Sequence, residues 1–378
     1  NPNLKPEKTS SIEAGFEAAF WDNRLCLDFT YYKTDSRNQI LKLATTAASG
    51  YTSQVRNAGH IRNRGYEIQL GAVPIQTSKG FRWNLDLNYG ANSSKVVKLD
   101  DEGLITSYRL YSSGIQILAS VGEAYGTLFG TSYVRDANGN VVVDANGLPK
   151  ISTTNKTLGK FTPDWTGGIS NTFSYRSLSL SFLIDASVGG SIFSNTNKTG
   201  KYTGVLANTL SGRDAEHGGL WYYTAAMGNN VRLPESPSYS VSSDGLYYAQ
   251  VNGQSTRVYQ DGIMVEGVTE SGSKNEEVVS AEKYYHRIYS IAEANVYDAS
   301  YVKLREVALS YRLPRLWTQK LHLQEASVTL TGRNLWTIYK SVPNIDPESA
   351  LTTGNAQGVE AYSLPTTRSF GVNLSVKF

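Results

Sequence analysis

The chain has 378 residues, 40% hydrophobic and 18% charged, with a formal net charge of +3. Nothing in that balance argues for disorder, and without basic residues concentrated on one face it does not argue for a nucleic-acid partner. The lone cysteine, Cys26, excludes an internal disulfide or a cysteine-based metal site, and there is no apolar run long enough (about eighteen residues) for a transmembrane helix.

A membrane is not thereby excluded, because a transmembrane barrel alternates polarity in segments of about ten residues and its mean hydropathy looks soluble. The 25 Tyr and 6 Trp suit membrane–water interfaces and sugar-binding surfaces alike. The chain opens on Asn1-Pro2-Asn3-Leu4-Lys5-Pro6-Glu7, a polar segment with no signal peptide that leads directly into a strand. It reads as a start in the middle of something, either a fragment or one chain of a split polypeptide.

Ile12, Ala14, Phe16, Ala18 and Phe20 alternate with Ser11, Glu13, Gly15, Glu17 and Ala19. After an Asp22-Asn23 turn, Leu25, Leu27, Phe29 and Tyr31 alternate with Cys26, Asp28, Thr30 and Tyr32, which predicts a two-faced hairpin. In the next pair, Tyr66, Ile68, Leu70 and Ala72 lead through Thr77–Gly80 to Phe81, Trp83, Leu85, Leu87 and Tyr89. A third hairpin runs from Trp165 to Val188 and turns at Arg176-Ser177. Strands then follow at about 300–313, 326–336 and 367–378, and the last alternates strictly: Phe370, Val372, Leu374, Val376 and Phe378 against Ser369, Gly371, Asn373, Ser375 and Lys377.

Loop lengths set the class. Connections at 22–23, 77–80, 176–177 and 314–325 are short, and those at 34–59, 95–163, 189–299 and 339–366 are long, in strict alternation. A soluble sandwich has no reason to sort its loops this way. An outer-membrane barrel does, with short periplasmic turns and long extracellular loops. The segments 121–134 and 141–151 are assigned together to a long outer loop, although counting both as wall strands would also preserve parity; this leaves about nine wall strands, the last descending toward the periplasm. The predicted fold is all-β, a transmembrane antiparallel β-barrel. An odd, open set of strands in lipid would leave backbone groups unpaired, so the rest of the wall is expected to precede Asn1.

The segments NPNLKPEKTSSIEAGFE, VGEAYGTLFG, PDWTGGISNTFSYRSLSLSFLID, DASYVKLREVALSYRLP and LTGRNLWT and the terminal strand resemble the carboxyl-terminal half of SusC/RagA-type TonB-dependent outer-membrane transporters, across 1–378. The resemblance implies a 22-stranded barrel with an amino-terminal plug, which this chain lacks, and a location in the outer membrane of a Gram-negative bacterium. It also implies a SusD-like surface lipoprotein as lid and TonB-driven import of oligosaccharides or peptides by Bacteroidota. Coupling to TonB rests on kinship and on no residue here. Kinship also makes Phe370, Val372, Leu374, Val376 and Phe378 an outer-membrane assembly signal. Two rivals stand beside import: a structural or docking barrel, and a siderophore receptor of the same general fold.

By parity the lumen side carries Asp28, Thr30, Glu67, Gln69, Asn84, Asn88, Ser179, Ser181, Ser310 and Thr331, with Arg82, Asp86, Asp185, Glu306, Arg312 and Arg333 as the charged candidates. Any such wall must be polar inside, so most are expected to bond water or the plug. Ligand or lid contact is expected from the 189–299 loop, at Arg213, Asp214, Trp221, Tyr222, Tyr223, Tyr247 and Tyr248. Flat rings stack on sugars or peptide side chains and Arg and Asp bond hydroxyls or termini, although aromatics also pack loops and interfaces. Trp21, Trp83, Trp165, Tyr175, Trp317 and Trp336 are read as interface girdles. The Asp136–Asn140 and Asp144–Gly147 runs lack the glutamate of a calcium loop and read as Asn-Gly turns, so no metal is expected. His60, His217, His286 and His322 are scattered, no nucleophile elbow or phosphate loop appears, and the pairs Asp100-Asp101 and Glu276-Glu277 read as solvated. Neither an enzyme nor a cofactor is expected.

Overall fold

A computed structural model describes residues 4–44, 48, 50–100, 103–320 and 322–378. The expectations placed on Asn1-Pro2-Asn3 and on Asp101 lie outside them. Nine strands form one antiparallel sheet: β1 (Lys8–Phe20), β2 (Leu25–Arg37), β3 (His60–Gln76), β4 (Phe81–Lys98), β5 (Trp165–Tyr175), β6 (Leu178–Val188), β7 (Tyr301–Arg312), β8 (Glu325–Lys340) and β9 (Ser369–Lys377). Each pairs with its neighbours in chain order, so the sheet is a simple meander.

The register turns the period of two into two faces. Ala18, Leu27, Leu70, Leu87, Ile169, Ile184, Leu304 and Trp336 follow one another across eight strands as direct partners. One residue along, Glu17, Asp28, Gln69, Asn88, Gly168, Asp185, Lys303 and Thr337 do the same. A slip of one residue would carry the other face's residues, among them Glu17, Asp28, Asp185 and Lys303, into the apolar row, and this fixes the register. The apolar face carries exposed Ile12, Phe16, Leu309, Leu330, Phe370 and Val372, a surface suited to lipid and ill suited to water.

On β5 the rings of Trp165 and Tyr175 mark the two ends of the apolar face. Their ten-residue separation is about 34 Å along a strand, or about 24 Å normal to the membrane at a tilt of about 45°. Trp21 and Trp317 lie exposed at the short-turn end, and Trp336 is exposed in the half nearer the long loops. Trp83 is less free: it stacks on Phe173 and its indole Nε1 donates to Asn171 Oδ1 at 3.0 Å. Asn171 shares the apolar face with Phe173 and is buried there.

The wall strands run past their expected ends. Thr34–Arg37, Lys95–Lys98 and Tyr339–Lys340 all belong to the ladder. The alternation lapses there, with Val96 buried beside Leu99 and Ala119, but the backbone bonds continue, and polar side chains pair across strands, such as Ser11 Oγ with Thr34 Oγ1 at 2.9 Å. One bulge matters: β6 partners shift between Leu183 and Ile184, which face Glu306 and Leu304 and leave Arg305 as the extra residue.

The four long connections are folded. The first holds the hairpin Ile40–Ala44 and Ser53–Asn57. In the second, Ser107–Ser113, Ile115–Ser120, Tyr125–Gly130 and Lys156–Lys160 make a four-stranded sheet, and the 141–151 segment makes only isolated bridges, so both stay off the wall. The third contains helices α1 (Asn195–Thr203) and α2 (Ala281–Tyr289) and a six-stranded sheet centred on the Gln254–Met264 strand. Ile115, Ile117, Leu128, Phe193, Ala292 and Val359 form one core contributed by the last three connections. Burying those side chains together makes these loops a single body at one end of the wall.

Candidate functional site

The loop body is pinned at the start of α1. Ser194 caps the helix, its Oγ accepting from the Asn197 amide at 3.0 Å and donating to Glu360 Oε2 at 2.6 Å. Glu360 is fully buried and also accepts from Thr196 Oγ1 at 2.6 Å and from the Ser363 amide. A carboxylate at a helix N-terminus is favoured by the helix dipole, and these donors meet the cost of burying it. Gly204, at φ 69°, ends α1 in the left-handed conformation. Tyr202 near that end stacks on His286 of α2 at 4.1 Å between ring centres.

Beyond the helices, the six-stranded sheet separates the aromatic candidates by face. Trp221 is 5% exposed, 4.9 Å from the Tyr239 ring and 5.4 Å from Tyr247, among Ala249 and Val258, with half-buried Tyr223 against the same cluster. Tyr222 is equally buried on the other face, where it stacks on Tyr259 at 5.3 Å and donates to Asp261 Oδ1 at 3.0 Å. Burial and the Asp261 charge hold its phenol well above the usual range. Trp221 and Tyr222 are thus placed in the interior of the loop sheet, the packing use of aromatics weighed from the sequence, with Tyr223 half-buried beside them. Apart from the central Gln254–Met264 strand, the strands of this sheet are three to five residues long and have little else to bury, and aromatic rings provide the largest area.

A cleft of about 600 Å³ opens between this sheet and the segment after α1. Three expected residues reach it, Arg213, Asp214 and Tyr247, while half-buried Tyr248 is not among its lining. Arg213 Nη2 donates to Gly204 O and to Thr209 Oγ1, both at 2.8 Å, so its orientation is set. Asp214 Oδ1 accepts from the His217 amide at 3.0 Å and lies 2.7 Å from His217 Nδ1, and the histidine bond keeps the carboxyl below its usual range. The floor adds Arg257, Tyr259, Gln260 and Asp261, and the rim adds Glu216. The sequence reading missed these. Their signal was the alternation of Arg257, Tyr259 and Asp261 along one strand, which places all three on one face.

The six charged wall candidates mostly pair with their neighbours. Asp185 Oδ1 accepts from Arg305 Nε at 2.7 Å, Glu306 Oε2 from Arg333 Nε at 2.9 Å, and Arg312 Nε lies 2.9 Å from Glu325 Oε1. Arg82 Nε donates to Asn84 Oδ1 at 2.8 Å. Asp86 remains exposed and lines a broad recess of about 780 Å³ with Glu17, Asp28, Gln69 and Asn88.

Lys303 and Arg305, also missed, anchor the loop before β9. Lys303 Nζ donates to Asp346 Oδ1 and Glu348 Oε2, both at 2.6 Å, and Arg305 pairs with Glu348 as well as Asp185. Burial raises the Asp346 carboxyl, but the Lys303 and Thr366 bonds outweigh it and bring it down to about 2. At the Asn-Gly turns, Asp136 Oδ1 accepts from the Asn138 and Asn140 amides, while Asp144 bonds its own turn and Arg287. Both carboxylates hold hairpins.

Comparison with known proteins accords with this architecture. The sequence model described as TonB dependent receptor-like, beta-barrel matches residues 1–335. TonB-dependent receptor P3 of Formosa agariphila is 27% identical over all of this chain and 35% of its own length. TonB-dependent receptor SusC of Bacteroides thetaiotaomicron is 28% identical over 57% of this chain and 23% of its own. The structure of the RagAB peptide importer in its closed-closed state superposes with a TM-score of 0.64 at 20% identity, over all of this chain and 36% of that one. The chain thus spans about a third of the length of such relatives. It belongs to the TonB-dependent receptor β-barrel family of outer-membrane transporters.

Proposed function

We propose that the chain is the C-terminal part of the barrel of an importer that takes oligomeric nutrients, oligosaccharides or peptides, across the outer membrane of a Gram-negative bacterium. TonB would supply the force through an amino-terminal plug, and a SusD-like lipoprotein would close over the loops. The single observation that carries this reading is the sorting of the molecule: a wall with an apolar and a polar face, and all large folded connections at one end. Such a wall suits lipid outside and a hydrated conduit inside, and the loop body suits capture above it. In this reading the 34–59, 95–163, 189–299 and 339–366 connections form the extracellular vestibule of a 22-stranded barrel. The polar face, with Asp86 among its exposed groups, would meet plug and substrate.

The reading also draws on what the printed names say of two similar proteins: SusC is named a TonB-dependent receptor and RagAB a peptide importer. It is tested by deleting the transporter in its native cells and measuring uptake of radiolabelled hexasaccharides and hexapeptides, with purification of the full transporter from membranes. Loss of uptake of one class, and co-purification of a surface lipoprotein, is the expected result. Unchanged uptake of both would leave only a docking barrel, and a detergent-free soluble monomer would overturn the membrane assignment.

A further inference from the structure

We infer that the outward face of β1–β4, at the long-loop end, binds a phosphate-bearing lipid of the outer leaflet, its headgroup on a patch of lysines and arginines and its acyl chains on the apolar rows beneath. Assigning that end to the outer leaflet rests on the import reading above, while the patch itself rests on the strand register. The patch lies on the outside of the wall, apart from the polar inner face and from the cleft in the loop body.

The apolar face stops at an aromatic row. Tyr31 and Tyr66 are direct partners there, both exposed, and the rings of Tyr66, Tyr89 and Trp165 follow one another at 5.9 and 5.4 Å. Such rings sit where hydrocarbon meets headgroups. Toward the long loops the same face continues with cations. Lys33 is the direct partner of Arg64; in the next row Asp35 faces Arg62 and Arg62 faces Lys95; in the row after it Arg37 faces Lys8 and His60, and His60 faces Lys98. Each row lies two residues beyond the last, about 5 Å along the membrane normal at a tilt of about 45°. Among the described residues of these rows Asp35 is the one carboxylate, and its Oδ1 is already shared by His60 at 2.5 Å and Arg62 at 2.9 Å.

Like charges placed opposite each other on neighbouring strands are destabilising, yet Lys33 faces Arg64 and Arg62 faces Lys95. Among the described residues no side-chain hydrogen bond or ion pair engages Lys33, Arg37, Arg64 or Lys95. A bound anion would therefore relieve a repulsion without displacing a carboxylate. Arg37, His60 and Lys98 line a recess of about 190 Å³, roomy enough for a phosphate group. Asp100 lines it too, but its carboxylate oxygens accept from the Leu104 and Ile105 amides at 3.0 and 3.2 Å. Guanidinium forks match phosphate oxygens in pairs, and long cationic side chains reach back to the interface. A free phosphate would use the recess alone. The continuity of the face singles out a lipid, because the row below the tyrosines is Phe16, Phe29, Ile68 and Tyr89, a bed for acyl chains directly under the charges. The aromatic row runs on to Trp165 and Val188, where β5 and β6 end, so the cationic rows stop at β4.

The test follows the full-length transporter in detergent by native mass spectrometry and thermal unfolding. The probes are diphosphorylated hexa-acyl lipid A, the same lipid without phosphates, phosphatidylglycerol and inorganic phosphate. Diphosphorylated lipid A is expected to be retained and to raise the Tm by several degrees, and neither the dephosphorylated lipid nor inorganic phosphate to do so. Lys33→Gln combined with Arg64→Gln is expected to weaken retention tenfold or more, while Lys320→Gln at the short-turn end leaves it unchanged. In lipid-free detergent the double variant should unfold at or above the wild-type temperature, since a repulsion is gone, which separates lost binding from lost fold. Equal retention without phosphates, preference for phosphatidylglycerol, equal stabilisation by inorganic phosphate, or wild-type retention in the double variant would overturn the inference without touching the uptake measurement. Uptake of labelled oligomers that continues without the transporter would instead remove the import reading and leave the lipid patch.

Discussion

Lys303 Nζ and Asp346 Oδ1 lie 2.6 Å apart, with both side chains under 10% exposed, so the wall strand β7 and the loop before β9 are joined by a buried ion pair. Glu348 and Arg305 extend it to Asp185 on β6. Removing one partner of such a pair leaves an uncompensated charge and costs about 3–5 kcal/mol. Asp346→Ala is expected to release the 341–366 segment, read as loss of amide exchange protection there while the strands stay protected. Protection equal to wild type would show that the core at Val359 holds the loop alone.

The same pair has a defined pH response. The folded Asp346 carboxyl is depressed to about 2, below its ordinary value near 4, so its contribution is fully present above about pH 4 and fades as pH falls toward 2. Protection of the segment's amides relative to their intrinsic exchange is expected to be flat from neutrality to about pH 4.5 and to fall only below that. Loosening near pH 6 would point to another titrating group.

Trp221→Ala is expected to cost about 3–5 kcal/mol in the loop sheet, because a 5%-exposed ring leaves a cavity. Limited proteolysis should cut near 220–260 while the barrel stays resistant to heat in detergent. Trp221→Phe should recover most of the loss. A resistant loop in the alanine variant would return the ring to the ligand-contact role expected from sequence.

Asn171 and Trp83 form a polar pair on the apolar face. Trp83→Phe leaves the amide oxygen without its donor in an environment with no water, a loss of about 1–3 kcal/mol. The double variant Trp83→Phe with Asn171→Leu should regain most of that in urea unfolding from lipid. Strict additivity would mean the bond is not used.

Deleting Phe378 is expected to lower the amount of assembled transporter in the outer membrane. The residue follows Phe370, Val372, Leu374 and Val376, which share one face of β9, and is itself exposed. Immunoblots of membrane fractions check it, and normal levels would show that assembly does not depend on Phe378.

The wall is legible in the sequence because its physics is local. Leu27 and Asp28 must face opposite ways on an extended chain, whatever surrounds them, so period and loop length alone yield nine strands, their meander and their two faces. The ends of those strands are not legible in the same way, since past Thr34 and Lys95 backbone pairing persists where the lipid that imposes alternation is gone.

The loop body follows other rules. Trp221, Tyr222 and Tyr247 look alike in sequence, each an aromatic in a polar loop. Which of them is core and which lines a cleft depends on strands paired across distant positions, such as Tyr222 with Tyr259 and Tyr247 with Val258. The bulge that frees Arg305, the burial of Lys303 against Asp346 and the closing of Glu360 over α1 are of the same kind. Alternation along one strand determined the barrel wall of this protein, and only contacts between distant segments, each conditional on the others having folded, decided where its charged and aromatic side chains are free to bind.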